Sequence, residues 1–203
     1  MLEARDLRHW YSGVAVLNGL SFTLERGKVT GYLGPNGAGK STTVKILTGL
    51  IQSSEGQVLW NGQSITKCSI EFKARLGYVP EEPLVYPFLS GFEYLQLTGR
   101  LRGIPEKLLG HKIDALLNLL SLYRSRHSPL STYSKGMQQK ILLAAALLHD
   151  PDVLILDEPL SGLDITSSLI VRNLIRSLAQ RGKIIRTMVS KNHRCAFGSL
   201  ARI

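Results

Sequence analysis

The chain has 203 residues, 44% of them hydrophobic and 20% charged, which is enough for one globular domain with a sizeable core. Its longest apolar run, Ile141 to Leu148, is far shorter than the roughly 20 residues that span a bilayer. The first ten residues lack the apolar core of a signal peptide, and two widely separated cysteines indicate reduced thiols rather than a metal site.

The formal net charge of +10 is concentrated at one end of the chain. From Arg181 onward there are six Lys or Arg residues and no acid, so the first 180 residues carry 19 basic and 15 acidic side chains. Because this leaves only +4 on most of the chain, we expect no nucleic-acid partner.

The first part of the chain alternates strands and turns. Residues 14–24 are predicted to form a strand, and residues 27–51 a strand, a glycine-rich turn and a helix with Ser41 near its start. Residues 56–65 predict another strand, with a turn at Asn61-Gly62.

The second part is mostly helical until a short apolar strand. Apolar residues at three- and four-residue spacing predict helices over 91–104, 105–123 and 135–150, the last ended by Pro151. Residues 152–159 predict a buried strand, and 167–182 an amphipathic helix. Strand–helix alternation around a helical insert indicates an α/β fold.

The segment "GPNGAGKST" matches the G-x-x-x-x-G-K-[ST] phosphate-binding loop from Gly34 to Ser41. Glycines let backbone N–H groups face a phosphate, Lys40 can reach its outer oxygens, and the Ser41 hydroxyl can join a magnesium shell. The alternative is an accidental glycine turn. The predicted nucleotide ligands in this segment are Gly34, Pro35, Asn36, Gly37, Ala38, Gly39, Lys40, Ser41 and Thr42.

In "VLILDEP", an apolar strand ends at Asp157 and Glu158. A carboxylate there is costly to bury without a cation, so Asp157 is predicted to contact magnesium through a water molecule. Glu158 is predicted to be the general base for an attacking water. The alternative is two solvated acids at a strand end.

The segment "YSKGMQQK" opens the helix before this strand, and "SGLD" (Ser161 to Asp164) follows it. The order of phosphate loop, signature segment, acidic strand and SGLD loop resembles the ATP-binding cassette (ABC) ATPases over about residues 1–185. The resemblance is greatest to bacterial ABC-2-type exporter subunits. It implies a nucleotide core of mixed sheet and flanking helices, with N-terminal antiparallel strands and an inserted helical subdomain.

The same resemblance implies a head-to-tail dimer in which Ser134 and Gly136 contact the γ-phosphate of ATP bound to the second cassette. Here Lys135 replaces a glycine of the common signature. Tyr11 matches the position that stacks on adenine, the alternative being an ordinary core aromatic. Glu81 stands where the family carries a glutamine that helps to hold magnesium and water, and it is predicted to be both a catalytic residue and a metal ligand.

The end of the chain departs from the family pattern. A histidine that contacts the γ-phosphate is expected near Ser190, but the nearest histidine is His193, in a basic stretch. The tail therefore resembles a truncated or out-of-frame ending, which predicts poor turnover of bound MgATP.

We therefore expect a single cassette, with a nucleotide core at 1–80 and 151–189, a helical subdomain at 81–150 and an atypical tail at 186–203. Its expected function is to bind and hydrolyse ATP with Mg²⁺ at the cytoplasmic face of the membrane, for a separate transmembrane exporter subunit. The alternatives are a cassette that binds ATP and gates a dimer without hydrolysis, and a soluble ABC ATPase of translation or DNA repair.

Overall fold

The structure, a computed structural model, describes residues 1–35, 37–188 and 200–202. Its strands are β1 (Leu2–Tyr11), β2 (Val14–Leu24), β3 (Val29–Leu33), β4 (Glu55–Trp60), β5 (Gln63–Ser64), β6 (Leu76–Val79), β7 (Val153–Asp157), β8 (Ile184–Met188) and β9 (Leu200–Arg202). Its helices are α1 (Lys40–Leu47), α2 (Ser69–Ala74), α3 (Gly91–Leu101), α4 (Glu106–Leu119), α5 (Lys135–Leu147) and α6 (Ile165–Gln180).

The first sheet is antiparallel, with the strand order β2-β1-β4-β5. The predicted strand over 14–24 is confirmed by β2, and the predicted turn by Asn61 and Gly62, whose φ angles are 49° and 83°. Two successive residues at positive φ suit the twist of a two-residue hairpin, which explains why Asn-Gly occurs there.

The second sheet is parallel, with the order β6-β7-β8-β3-β9. Because its strands run in one direction, the loop after β3 and the acids that end β7 lie at the same edge, where open α/β sheets bind ligands. The two sheets with their flanking helices confirm the predicted α/β fold.

The three helices α3, α4 and α5 bury their apolar faces in one cluster with β7. Pro105 immediately precedes α4, and Ser134 caps α5 by accepting a hydrogen bond from the Met137 amide, 3.2 Å from its hydroxyl. These ends agree with the predicted helices, whereas the division of the chain into a core and a subdomain stays a prediction.

Two short elements, α2 and β6, were not predicted. They have only six and four residues, too few for a hydrophobic period to develop. In the described part of the chain, no helix is both long and apolar enough to cross a membrane.

One charged side chain lies inside the parallel sheet's core. Arg186 on β8 is 1% exposed, and its guanidinium carbon lies 4.1 Å from the ring centre of Phe22 and 4.7 Å from that of Tyr32. None of the three guanidinium nitrogens has a hydrogen-bond partner among the residues that the structure describes.

Candidate nucleotide site

The phosphate loop is held against β2 at Gly39, which precedes α1 with a φ of 76°. A Cβ atom added there would lie 2.5 Å from Leu17 Cδ2 and 2.8 Å from the Val16 carbonyl oxygen. Both the left-handed backbone and this close approach exclude a side chain. The glycine therefore lets the N-terminal sheet fix the position of the loop.

Lys40 begins α1 and turns back over the loop. Its ammonium group donates hydrogen bonds to the carbonyl oxygens of Gly34 and Pro35, at 2.7 and 2.9 Å. A cation is thus held inside a loop that precedes a helix N-terminus, which is the arrangement that binds phosphate oxygens. The local geometry fits a nucleotide phosphate.

The other predicted ligands of the loop lie around this cation. Gly34, Pro35, Gly37 and Ala38 form the turn, which the Ala38 amide closes by donating to the Pro35 carbonyl at 3.2 Å. Ser41 is exposed in the first turn of α1 and Thr42 is buried beside it. Asn36 lies outside the described residues.

Asp157 ends β7 with only 9% of its surface exposed. The alternative interpretation, a solvated acid at a strand end, therefore does not apply to it. Burial raises the pKa of its carboxyl to about 6, with further contributions from the charges of Glu81 and Glu158. Lys40 acts in the opposite direction and lowers this pKa. Glu81 itself is exposed just beyond β6. The predicted acids at the ends of β6 and β7 and the Lys40 ammonium of the phosphate loop are thus close enough to act on one carboxyl group.

This charge distribution fits a divalent cation. The charges of Glu81, Glu158 and Lys40 all act on the buried Asp157 carboxyl, and a buried carboxylate with a raised pKa gains from a metal. Within residues 1–35, 37–188 and 200–202, no three His, Cys, Asp or Glu side chains form a cluster that could hold a metal ion alone. Magnesium commonly binds to one or two carboxylates together with substrate phosphates, so a shared site suits this donor set.

Glu158 follows Asp157 and has a left-handed backbone conformation, which is uncommon for residues other than glycine. Its φ angle is 48°, and its carbonyl oxygen accepts a hydrogen bond from the Ser161 amide at 2.9 Å. A non-glycine residue in this region is strained, and such strain is typical of functional sites. The turn separates the half-buried Glu158 side chain from the strand that carries Asp157.

The signature turn packs against the SGLD loop. Gly136 is buried in the first turn of α5, and a Cβ atom there would lie 2.6 Å from the Gly162 carbonyl oxygen. Ser134 is exposed one residue before the helix. The small residue at position 136 therefore allows direct backbone contact between the two motifs.

A polar connection that was not predicted from the sequence joins these two motifs. Lys140 is 9% exposed, and its ammonium group lies 3.4 Å from the Ser167 hydroxyl, which in turn donates to the Asp164 carboxylate at 2.7 Å. The preceding residue, Gln139, donates to the Pro80 carbonyl oxygen at 3.3 Å. Two polar residues just before the apolar run "ILLAAALL" were the available signal.

Tyr11 ends β1 at the tip of the β1–β2 hairpin and is 45% exposed, so it is not a core aromatic. It makes an edge contact with His9, with 4.6 Å between ring centres. Ser190 and His193, the expected and the nearest positions of the γ-phosphate histidine, lie outside the described residues.

A separate cleft of about 970 Å³ lies between the C-terminal end of α1 and the β4–β5 hairpin. Its lining includes Leu50, Leu59 and Lys73, and none of the predicted site residues. Its volume therefore adds nothing to the nucleotide site.

Comparison with known proteins gives one consistent result. The profile of a family described as "ABC transporter" matches residues 17–161. The chain is 41% identical over 187 residues to the uncharacterised ABC transporter ATP-binding protein YhcH of Bacillus subtilis, covering 91% of this chain and 60% of YhcH. It is 35% identical over 185 residues to the Nod factor export ATP-binding protein I of Ralstonia nicotianae, covering 91% and 58%.

The fold gives the same result. A solved structure of an ATP-binding subunit of an ABC transporter superimposes with a TM-score of 0.90 and 29% identity, over 100% of this chain and 85% of that one. The chain nevertheless spans only about three fifths of the length of the two curated relatives.

Proposed function

The chain belongs to the ABC transporter family, and we propose that it binds MgATP at the loop from Gly34 to Ser41 and hydrolyses it to drive a transporter. The observation that carries this proposal is the meeting of Lys40, Asp157 and Glu158 at one edge of the parallel sheet. One group binds phosphate, one suits a metal and one can orient water, so together they supply the parts of phosphoryl transfer.

In this mechanism Lys40 leaves the loop carbonyls for the outer phosphates, and the amides at the start of α1 hold the rest of the phosphate chain. Ser41, Asp157 and Glu81 would hold magnesium, which when bound neutralises charge on the phosphate oxygens. Glu158 accepts a hydrogen bond from the attacking water and directs it in line with the bond that breaks.

Two surfaces suit the partners that a transporter requires. Leu84, Tyr86 and Phe88 are 80%, 63% and 92% exposed in the segment after Glu81. Adjacent exposed apolar side chains mark an interaction surface, here for a transmembrane permease at the cytoplasmic face. Ser134 and the turn at Gly136 would contact ATP bound to a second cassette. The naming of one relative as an export protein supports an exporter.

The test compares Lys40→Met with Lys45→Met, since Lys45 is an exposed lysine on the same helix. Binding of a fluorescent ATP analogue and phosphate release are measured for the parent and both variants. We expect Lys40→Met to weaken both by about 10²–10³-fold, as for the loss of one preorganised donor, and Lys45→Met to change neither.

Four outcomes test the binding site and separate the candidate functions. Equal behaviour of the two lysine variants would exclude the phosphate loop as the binding site. ATP-driven dimerisation without phosphate release would favour the cassette that gates a dimer without hydrolysis. Co-purification with a membrane protein supports the transporter, whereas salt-sensitive binding to nucleic acid would favour the translation or repair class.

A further inference from the structure

We propose that Gln139 is a positioning residue that ties the signature helix α5 to the segment carrying Glu81, an inference that rests on the proposed MgATP site. Gln139 is 2% exposed, and its side-chain amide donates to the Pro80 carbonyl oxygen at 3.3 Å. Pro80 directly precedes Glu81 and follows the last residue of β6. The hydrogen bond therefore acts on the residue from which the Glu81 segment leaves the sheet.

The contact is fixed by the way α5 lies along β6. A Cβ atom at Gly77 would lie 2.5 Å from the Ala146 carbonyl oxygen and 3.0 Å from Pro151, so the helix and the strand touch closely there. The seven residues from Gln139 to Ala146 rise about 10.5 Å in a helix. The three residues from Gly77 to Pro80 rise about 10 Å in a strand. The two contacts are thus in register, and Gln139 is held opposite the end of β6.

The side-chain amide of Gln139 also has an acceptor atom that makes no hydrogen bond within the described part of the chain. Its carbonyl oxygen, Oε1, is buried and has no hydrogen-bond donor among the described residues. Buried side-chain oxygens are rarely left unpaired, because each one costs about 1–3 kcal/mol, a cost that an apolar residue of similar shape would not carry. A glutamine at this position is therefore explained by its bond to Pro80 and not by its packing.

Gln139 is also next in sequence to Lys140, which is linked to the SGLD loop through Ser167. Lys140 approaches Ser167 and through it Asp164, while Gln139 approaches Pro80 from the same turn of α5. A shift of the signature turn is thus transmitted to the Glu81 segment as well as to the SGLD loop. Since Ser134 and Gly136 are proposed to contact the second nucleotide, Gln139 links that contact to the metal ligand of its own site.

The experiment measures how the binding of mant-ATP, a fluorescent ATP analogue, depends on Mg²⁺ concentration in the full chain. Gln139→Met keeps the length of the side chain and removes the hydrogen bond. We expect it to raise the half-saturating Mg²⁺ concentration about three- to tenfold, the effect of one buried neutral hydrogen bond, with mant-ATP binding in EDTA unchanged. Gln138→Met is the matched control, because Gln138 donates to the Leu130 carbonyl oxygen at 3.1 Å, away from Glu81.

Repeating both measurements in a Glu81→Ala background distinguishes positioning from a general structural role. If Gln139 acts through Glu81, Gln139→Met has no further effect on the Mg²⁺ dependence once Glu81 is removed. The inference is overturned by an equal shift in both backgrounds, by no shift, or by an equal shift in Gln138→Met. A parent chain that binds no mant-ATP at any Mg²⁺ concentration would overturn the proposed function first, and this inference with it.

Discussion

Strands β7 and β8 lie side by side in the parallel sheet, and each carries one charged residue that is almost completely buried. Asp157 is the last residue of β7, near Lys40 and beside two other acids. Arg186 is in the middle of β8, where it lies over the faces of two aromatic rings and has no hydrogen-bond partner within the described part of the chain. Burial lowers the pKa of Arg186 to about 9 and raises that of Asp157 to about 6.

The difference lies in what each charge can bind. A buried charge at a strand end can be compensated by a ligand that enters at the edge of the sheet. A buried charge within a strand depends on what the protein itself supplies, and an unpaired one costs several kcal/mol. We therefore expect the position along the strand to distinguish a functional charge from a destabilising one.

The largest effect is expected from Asp157→Asn, which tests whether the first charge is functional. Removing the negative charge should reduce phosphate release by about 10²–10³-fold, since a group that stabilises the transition state is lost. A phosphate-release assay at saturating ATP measures this, with Asp114→Asn on α4 as the control. Undiminished turnover would remove Asp157 from the site.

Arg186→Leu tests the second charge through stability. We expect the free energy of unfolding to rise by about 2–4 kcal/mol, because an apolar side chain replaces a buried charge that has no hydrogen-bond partner among the described residues. For a chain of this length that corresponds to a Tm higher by roughly 5–15 °C. Arg176→Leu, at an exposed position of α6, should stay within about 0.5 kcal/mol. A loss of stability in Arg186→Leu would show that the guanidinium is paired.

The pH dependence of stability should reveal the charge on Asp157. Since its folded pKa is about 6 and its ordinary value is 3.8, the ionised form is disfavoured by folding. The parent's free energy of unfolding should therefore fall, relative to that of Asp157→Asn, as pH rises from about 4 to about 6. The shift corresponds to roughly 2–3 kcal/mol. Urea unfolding at several pH values measures it, and parallel curves would contradict the raised pKa.

Lys140→Met should have the smallest effect, because this buried charge has partners. Burial lowers the pKa of Lys140, while Asp164 raises it. Replacement of a paired buried charge by an apolar side chain of similar volume is often close to neutral, so we expect a change within about 1 kcal/mol. The measurement is the thermal unfolding of Lys140→Met and Arg186→Leu under the same conditions, each compared with the parent. A gain as large as that of Arg186→Leu would show that pairing makes no difference in this core.

The sequence predicts the proposed nucleotide site better than it predicts the long-range contacts that support this site. The glycine-rich loop and the apolar run before Asp157 require particular residues at fixed spacing, so their strand–loop–helix context could be predicted. The contact of Gly136 with Gly162 and the bond from Gln139 to Pro80 join residues 26 and 59 positions apart, and no local pattern specifies them. The burial of Arg186 could not be predicted either, because β8 has only five residues and no local pattern places an arginine of so short a strand in the core.

The pairing of β3 with β8 has a consequence for synthesis on the ribosome. Leu33 ends β3 and Ile184 begins β8, so 150 residues separate the two strands in sequence. At about 5–20 residues per second, roughly 8–30 s pass between their emergence. During that interval the strand before the phosphate loop has an unpaired edge, which is a site of aggregation. Nascent chains stalled before residue 184 should therefore depend most strongly on chaperones.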